Sequence, residues 1–197
     1  MNKRELILNT MQELFKEGKA GTASVSDIAK RANIAKGGLY YYFHSKEDVM
    51  DALVERAYEN IIQNCKTALD NSNLNATGNF ALLLHTYTTS YMDPTLDEYL
   101  HLPQNAAIHQ KSLAKILLSL SELVTSLINQ GIREGIYKCE YPEEYSQILL
   151  SVFTFLMDPG IFDWTPEQKI KKMKALAIFL ENGLSAKSGS FSFLYSS

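Results

Sequence analysis

Ser24-Val25-Ser26-Asp27-Ile28-Ala29-Lys30-Arg31-Ala32-Asn33-Ile34-Ala35-Lys36-Gly37-Gly38-Leu39-Tyr40-Tyr41-Tyr42-Phe43-His44-Ser45-Lys46-Glu47-Asp48-Val49-Met50 reads as two short helical patterns about a tight turn. Ser24 suits a helix N-cap with Asp27 as its third helical residue, and Val25, Ile28, Ala29 and Ala32 then share one apolar face. Asn33 tolerates a left-handed backbone, so the first helix ends near Ala32, Ile34 turns back to the core and a second helix opens at Ala35-Lys36. The arrangement is a helix-turn-helix.

Gly37 and Gly38 stand in the first turn of that second helix, where each costs about 1 kcal/mol of helix propensity relative to Ala. What the missing side chains permit is close approach of backbone N–H groups to a phosphate or a base edge, with the charge of Lys36 beside them. Leu39 and Phe43, four apart, bury together, which leaves Tyr40, Tyr41 and Tyr42 fanned around the rest of the helix. A phenol joins a flat apolar body to a hydroxyl, and so fits a wet anionic groove. Ser45 caps the next helix, whose first turn carries Lys46, Glu47 and Asp48.

Lys36-Gly37-Gly38-Leu39-Tyr40-Tyr41-Tyr42-Phe43-His44-Ser45-Lys46-Glu47-Asp48, preceded by Asp27-Ile28-Ala29, resembles the DNA-binding region of the tetracycline-repressor (TetR) family of bacterial transcription regulators. The motif resemblance runs over roughly residues 4 to 55, with two departures: Gly38 stands where the family usually has Thr, Ser or Ala, and Ala35 where a capping Ser is common. The resemblance implies that Lys36, Tyr40, Tyr42 and Lys46 hold phosphates of double-stranded operator DNA. It also implies that Gly37, Gly38 and Tyr41 approach base edges in the major groove, with Ser24 at the start of the preceding helix on the same DNA-binding surface.

Composition agrees with a soluble globular chain: 46% of the 197 residues are hydrophobic and 21% charged. No uninterrupted apolar run reaches the roughly 18 residues of a membrane span. The Met-Asn-Lys-Arg-Glu start leads straight into an amphipathic helix, so the expected compartment is the cytoplasm, with no membrane partner. Net charge is −3, but residues 1–50 hold eight Lys or Arg against six Asp or Glu, so the basic bias sits at the helix-turn-helix end where phosphates would be met. Cys65 and Cys139 lack the paired spacing of a zinc or disulfide framework. His44, His85, His101 and His109 are scattered, with no carboxylate–histidine motif, and no P-loop, nucleophile elbow or dinucleotide fingerprint occurs. No enzyme, metal or cofactor is expected.

The remaining periodicities predict an all-α protein of about nine helices. A first helix spans Lys3 to Glu17, a long one Lys46 to Asn71, and a further face carries Phe80, Leu83, Leu84, Tyr87 and Tyr91. Thr95 is expected to cap a short helix through Leu102. A buried helix follows from Gln104 to Glu134, then one from Pro142 to Met157, and Thr165-Pro166-Glu167-Gln168 announces the last, to Asn182. The predicted division is a helix-turn-helix DNA-binding domain over 1–48, a helical effector-binding and dimerisation domain over 49–184, and a disordered tail over 185–197. The last two helices are apolar on more than one side, which predicts a homodimer through Leu149, Phe153, Leu176 and Phe179. Tyr87, Tyr91, Tyr99, His101 and Phe153 are the candidate wall for a small apolar or aromatic effector, an idea that the family resemblance supplies. The resulting reading is a ligand-responsive repressor released from a palindromic operator; the alternative is a helical protein-interaction module that touches no DNA.

Overall fold

The computed structural model describes residues 2–90 and 92–196. Among these, α1 (Lys3–Lys16), α2 (Val25–Arg31), α3 (Lys36–Tyr40), α4 (Lys46–Asp70), α5 (Ala76–Thr89), α6 (Pro94–Leu100), α7 (Ala106–Arg133), α8 (Pro142–Ser151) and α9 (Pro166–Gly183) are α-helical, and no strand occurs. The chain forms two compact units, Met1–Asn60 with Met92–Ser112, and Ile61–Tyr91 with Leu113–Ser197. The first unit therefore takes in α6 and the start of α7, which the predicted break at residue 48 had assigned elsewhere. The reason is packing: Leu96 and Leu100 of α6 are buried with the helix-turn-helix core, and Tyr99 sets its ring edge-on to Phe15 at 5.4 Å.

In the first unit, α1 supplies Ile7, Leu8, Met11, Leu14 and Phe15, α2 supplies Ile28 and Ala29, and α4 supplies Val49, Met50 and Leu53 to one core. Leu39 and Phe43 complete it, as their four-residue spacing predicts. Arg56 of α4 ties α1 down from outside the core, donating to Glu5 Oε2 at 2.9 Å, Asn9 Oδ1 at 2.8 Å and Gln12 Oε1 at 3.0 Å.

In the second unit the core forms around Ile116, Leu120, Val124, Leu127 and Ile128 of α7. By length and composition alone Pro103–Arg133 would pass for a membrane span, with mean hydropathy 1.3, but its apolar side is the one that the unit's core uses. Ser146 of α8 is fully buried and satisfied, its hydroxyl 2.8 Å from Thr125 Oγ1 and donating to the Glu143 carbonyl at 2.7 Å. Tyr137 folds under the end of α7, its hydroxyl 2.8 Å from Thr77 Oγ1 and its ring against Phe80.

Three expectations are corrected. Asp93, not Thr95, caps α6, accepting from Thr95 N at 3.0 Å and from the Thr95 hydroxyl at 2.6 Å. The helix expected through Met157 stops as α-helix at Ser151 and continues as a π-helical turn over Val152–Leu156, where Met157 N donates to the Val152 carbonyl at 2.9 Å. The segment expected to be a disordered tail is docked: Phe191 is fully buried against Phe80 and Tyr137, and its N–H donates to Glu181 Oε1 at 3.1 Å. A large ring reaching an apolar recess outweighs the polarity of the serines around it.

Candidate nucleic-acid interface

The turn between α2 and α3 is built as its residues dictate. Ser24 and Asp27 form a capping box, Ser24 Oγ accepting from Asp27 N at 3.2 Å and Asp27 Oδ2 accepting from Ser24 N at 2.9 Å. The Ser24 hydroxyl also donates to Asp27 Oδ2 at 2.6 Å, and these bonds hold the Asp27 carboxyl below its ordinary range. Asn33 takes φ 51°, and Ile34 N donates to the Ala29 carbonyl at 3.0 Å, closing α2. On the flank, Arg31 donates to both carboxylate oxygens of Glu17, and Lys19 to one of them at 2.9 Å. The Arg31 hydrogen bond, with that from Lys19, lowers the Glu17 carboxyl to about 2.

Beyond the turn, α3 is five residues long, and its N-cap Ala35 offers no side-chain acceptor, so no side chain caps the helix start, where Gly38 N donates to the Ala35 carbonyl at 2.8 Å. Lys36, Gly37 and Tyr41 are exposed, Tyr41 at 82%, and a Cβ built at Gly37 or Gly38 meets nothing within 4 Å. No internal packing therefore requires these two glycines. The Lys36 ammonium lies 5.9 Å from the centroid of the exposed Tyr40 ring.

The other predicted contact residues are more committed. Tyr42 is half-buried against the first unit's core, with its ring edge-on to Tyr41 at 5.0 Å. Lys46 donates to the Gly21 carbonyl at 2.7 Å, pinning the start of α4 to the loop after α1. Ser24 spends its hydroxyl proton within the capping box. Arg4, outside the expected set, stands 5.7 Å over the Phe43 ring, an arrangement that only the fold reveals because the two residues are distant in sequence.

Of the expected effector wall, Tyr99 and His101 belong to the first unit and Tyr87 and Phe153 to the second, while Tyr91 lies outside the described residues. Tyr99 spends its ring on core packing against Phe15, and burial raises its phenol's pKa. A groove of about 490 Å³ in the second unit is bordered instead by Cys139, Tyr141, Tyr145, Ile148 and Gly183, with none of the four described wall residues on its rim.

The predicted dimer residues also divide. Leu149 and Leu176 are buried inside the second unit and Phe153 is half-buried, so of the four only Phe179 is largely exposed. The large apolar side chains exposed in this region include Ile148, Phe155, Ile178 and Phe179. A one-residue difference in helical phase separates Ile148 from Leu149.

A three-helix unit with an uncapped, glycine-bearing, lysine-flanked second helix on its outer face is that of a helix-turn-helix DNA-binding protein. Residues 7–53 match the family described as bacterial regulatory proteins, tetR family, and residues 90–179 match the tetracyclin repressor-like C-terminal domain. The chain belongs to the TetR family and is a DNA-binding transcription regulator. It is 25% identical over 195 residues to the HTH-type transcriptional regulator YhgD of Bacillus subtilis (strain 168), covering 94% of this chain and 98% of that one. It is 26% identical over 137 residues to the fatty acid metabolism regulator protein of the same organism, covering 66% and 68%. Among solved structures, RolR without ligand superposes with a TM-score of 0.61 at 18% identity, covering 97% of this chain and 95% of that one, which is a likeness of fold. A helix-turn-helix used only for internal packing is not favoured by these matches.

Proposed function

We propose that the chain is a repressor that binds a palindromic operator as a homodimer and leaves it when a small, largely apolar molecule binds among the helices of the second unit. The observation that carries the DNA-binding assignment is the outer face of α3. Two glycines that each cost about 1 kcal/mol in a helix have open space where their side chains would be, so what gains from them lies outside the chain. Lys36, Tyr40 and Lys46 then hold phosphates, with Tyr42 as a half-buried support. Gly37, Gly38 and Tyr41 bring the helix start to base edges. The protein works in the cytoplasm, where its operator is, and performs no catalysis.

Support for an apolar effector comes from the relative that regulates fatty acid metabolism and from the aromatic content of the second unit. Helices α4 and α7 each continue from one unit into the other, so a change in helix direction at one end is carried to the other. A ligand shifts the population only by as much as it prefers the released state. The test is a gel shift on the promoter of the protein's own gene at graded salt, repeated with hydrophobic metabolites that raise the melting temperature. Salt-sensitive binding that such hits reverse is expected. Absence of a shift at low salt and micromolar protein overturns the DNA assignment, and hits that stabilise the protein yet leave DNA affinity intact overturn the effector coupling.

A further inference from the structure

The recess that Phe191 fills is held together without Phe191. Thr77 of α5 stands 2.8 Å from the Tyr137 hydroxyl, the Tyr137 backbone N–H donates to the Gly131 carbonyl at 3.1 Å, and the Tyr137 ring lies 6.3 Å from that of Phe80. Into this frame, which belongs wholly to the second unit, the chain sends one side chain after leaving α9. It turns at Ser185 (φ 50°) and Gly189 (φ 85°), and Phe191 then stacks on Tyr137 at 5.9 Å and meets Phe80 edge-on at 5.4 Å. Among residues 186–196 Phe191 alone is buried. Past Ala186, the hydrogen bonds of the described segment close within the segment, as from Ser190 N to the Lys187 carbonyl and Ser192 N to the Gly189 carbonyl. The exception is the Phe191 N–H, which donates to Glu181 Oε1 at 3.1 Å.

We propose that this recess is a binding site for an arylethylammonium ion, that is, an aromatic ring two carbons from a protonated amine, and that Phe191 is its tethered competitor. The ligand class is read from what Phe191 presents: a phenyl ring, two carbons, and an N–H that reaches a carboxylate. A free ammonium in place of that amide nitrogen adds a positive charge to the hydrogen bond with Glu181, while the ring keeps its place against Phe80 and Tyr137. A segment that only finished the core would bury more than one side chain and would bond its backbone to the helices it covers. Because the segment stays fastened at Ala186, whose N–H donates to the Glu181 carbonyl at 2.8 Å, the tethered ring competes at an effective concentration on the order of millimolar. The proposal deepens the effector reading above and rests on it for the second unit's response to ligands; binding is measured without DNA, so its failure and a failure of operator release are separate results.

The full-length parent and Phe191→Ala are titrated calorimetrically with 2-phenylethylamine. The parent must first release Phe191, so its apparent affinity is lowered by the undocked fraction, and Phe191→Ala should bind one equivalent at least about tenfold more tightly. Adding Glu181→Gln to Phe191→Ala should weaken binding about tenfold. 3-Phenylpropionate, with a carboxylate in place of the ammonium, should not bind. Phe191→Ala leaves a cavity and is destabilised, so the parent is tested on its own as well. At 2-phenylethylamine concentrations well above the effective concentration of the tether, trypsin should cleave after the exposed Lys187 faster than without it, with cleavage elsewhere unchanged. The proposal is overturned if Phe191→Ala keeps its helical circular dichroism yet binds no amine or binds it no better than the parent. It is overturned equally if Glu181→Gln leaves the affinity intact, if 3-phenylpropionate binds as well as the amine, or if the amine does not hasten cleavage after Lys187.

Discussion

Lys36 is exposed at the first position of a helix whose cap gives it no side-chain acceptor, so its charge is available to a phosphate while its loss disturbs no packing. Lys36→Ala should leave unfolding free energy within about 0.5 kcal/mol of the parent. Binding should weaken alike for operator and unrelated duplexes, and the slope of log K against log salt should fall by about 1. An unchanged slope in fluorescence anisotropy across a salt series would remove Lys36 from the interface. Tyr41→Ala tests the other role: with 82% of its surface free, this side chain should matter to discrimination between operator and scrambled duplex more than to the slope. Glu17 is a residue of the fold rather than of the interface. Its carboxyl, lowered from 4.5 to about 2 by Arg31 and then Lys19, favours the folded state fully above about pH 4.5 and ceases to do so as pH falls through 2. Glu17→Gln should therefore flatten the acid limb of the stability–pH curve in that window, by a small, salt-screened amount because the group is at the surface.

At the scale of the element, the second unit is held by contacts that local sequence announces poorly. Gly131 lies inside α7 beneath the ring of Tyr137, and a Cβ there would come within 2.0 Å of Tyr137 Cδ2. Alanine gains about 1 kcal/mol of helix propensity over glycine, whereas forcing a buried ring aside costs about 1–3 kcal/mol. Tyr137 is packed by Phe80 and Phe191 and held by Thr77, so it has nowhere to yield, and Gly131→Ala should lower the denaturation midpoint. An increased midpoint would show that the ring relocates freely. Phe191→Ala should cost about 3–5 kcal/mol as a buried large-to-small change, and a much smaller loss in urea unfolding would mean the tail contributes little. Both positions show where sequence reading stops. The capping boxes at Ser24 and Thr165, the left-handed Asn33 and the Leu39–Phe43 pair are decided within four residues, and all are observed. The docking of Phe191, the π-helical turn after Ser151 and the meeting of His101 with His109 depend on partners or backbone geometry that no periodicity encodes. The same holds for the exposed surface: the α3 face is legible because glycine and tyrosine are anomalous there, while telling Ile148 from Leu149 requires the real helical phase.

For the whole molecule, a charge of −3 with its basic excess confined to the first fifty residues suits a chain whose helix-turn-helix segment meets DNA. One five-residue recognition helix reads few base pairs, so useful specificity calls for two, related by a two-fold axis and set about one helical turn apart or somewhat more. The second unit offers a surface for that pairing: Ile148, Phe155, Ile178 and Phe179 are each more than half exposed, and Phe179 stacks on Tyr145, one turn from Ile148. Large apolar side chains clustered in this way mark an interaction surface, and symmetry makes the same patch available on a second copy. Phe179→Glu separates folding from assembly. In the isolated chain the residue is 57% exposed, so a carboxylate there stays hydrated and the fold should keep its helical circular dichroism. Across a two-fold interface the substitution places two like charges in a desolvated contact, a cost of several kcal/mol, which raises the dimer dissociation constant by more than a hundredfold. Sedimentation velocity should then show a dimer for the parent and a monomer for the variant at micromolar concentration. Affinity for a full operator should collapse to that for a half-site, with the salt dependence per half-site retained. A variant that stays dimeric and binds the full operator as the parent does would move the interface away from α8 and α9. A parent that is itself monomeric at that concentration would remove the dimer, and with it the two-helix requirement on which the operator's palindromy rests.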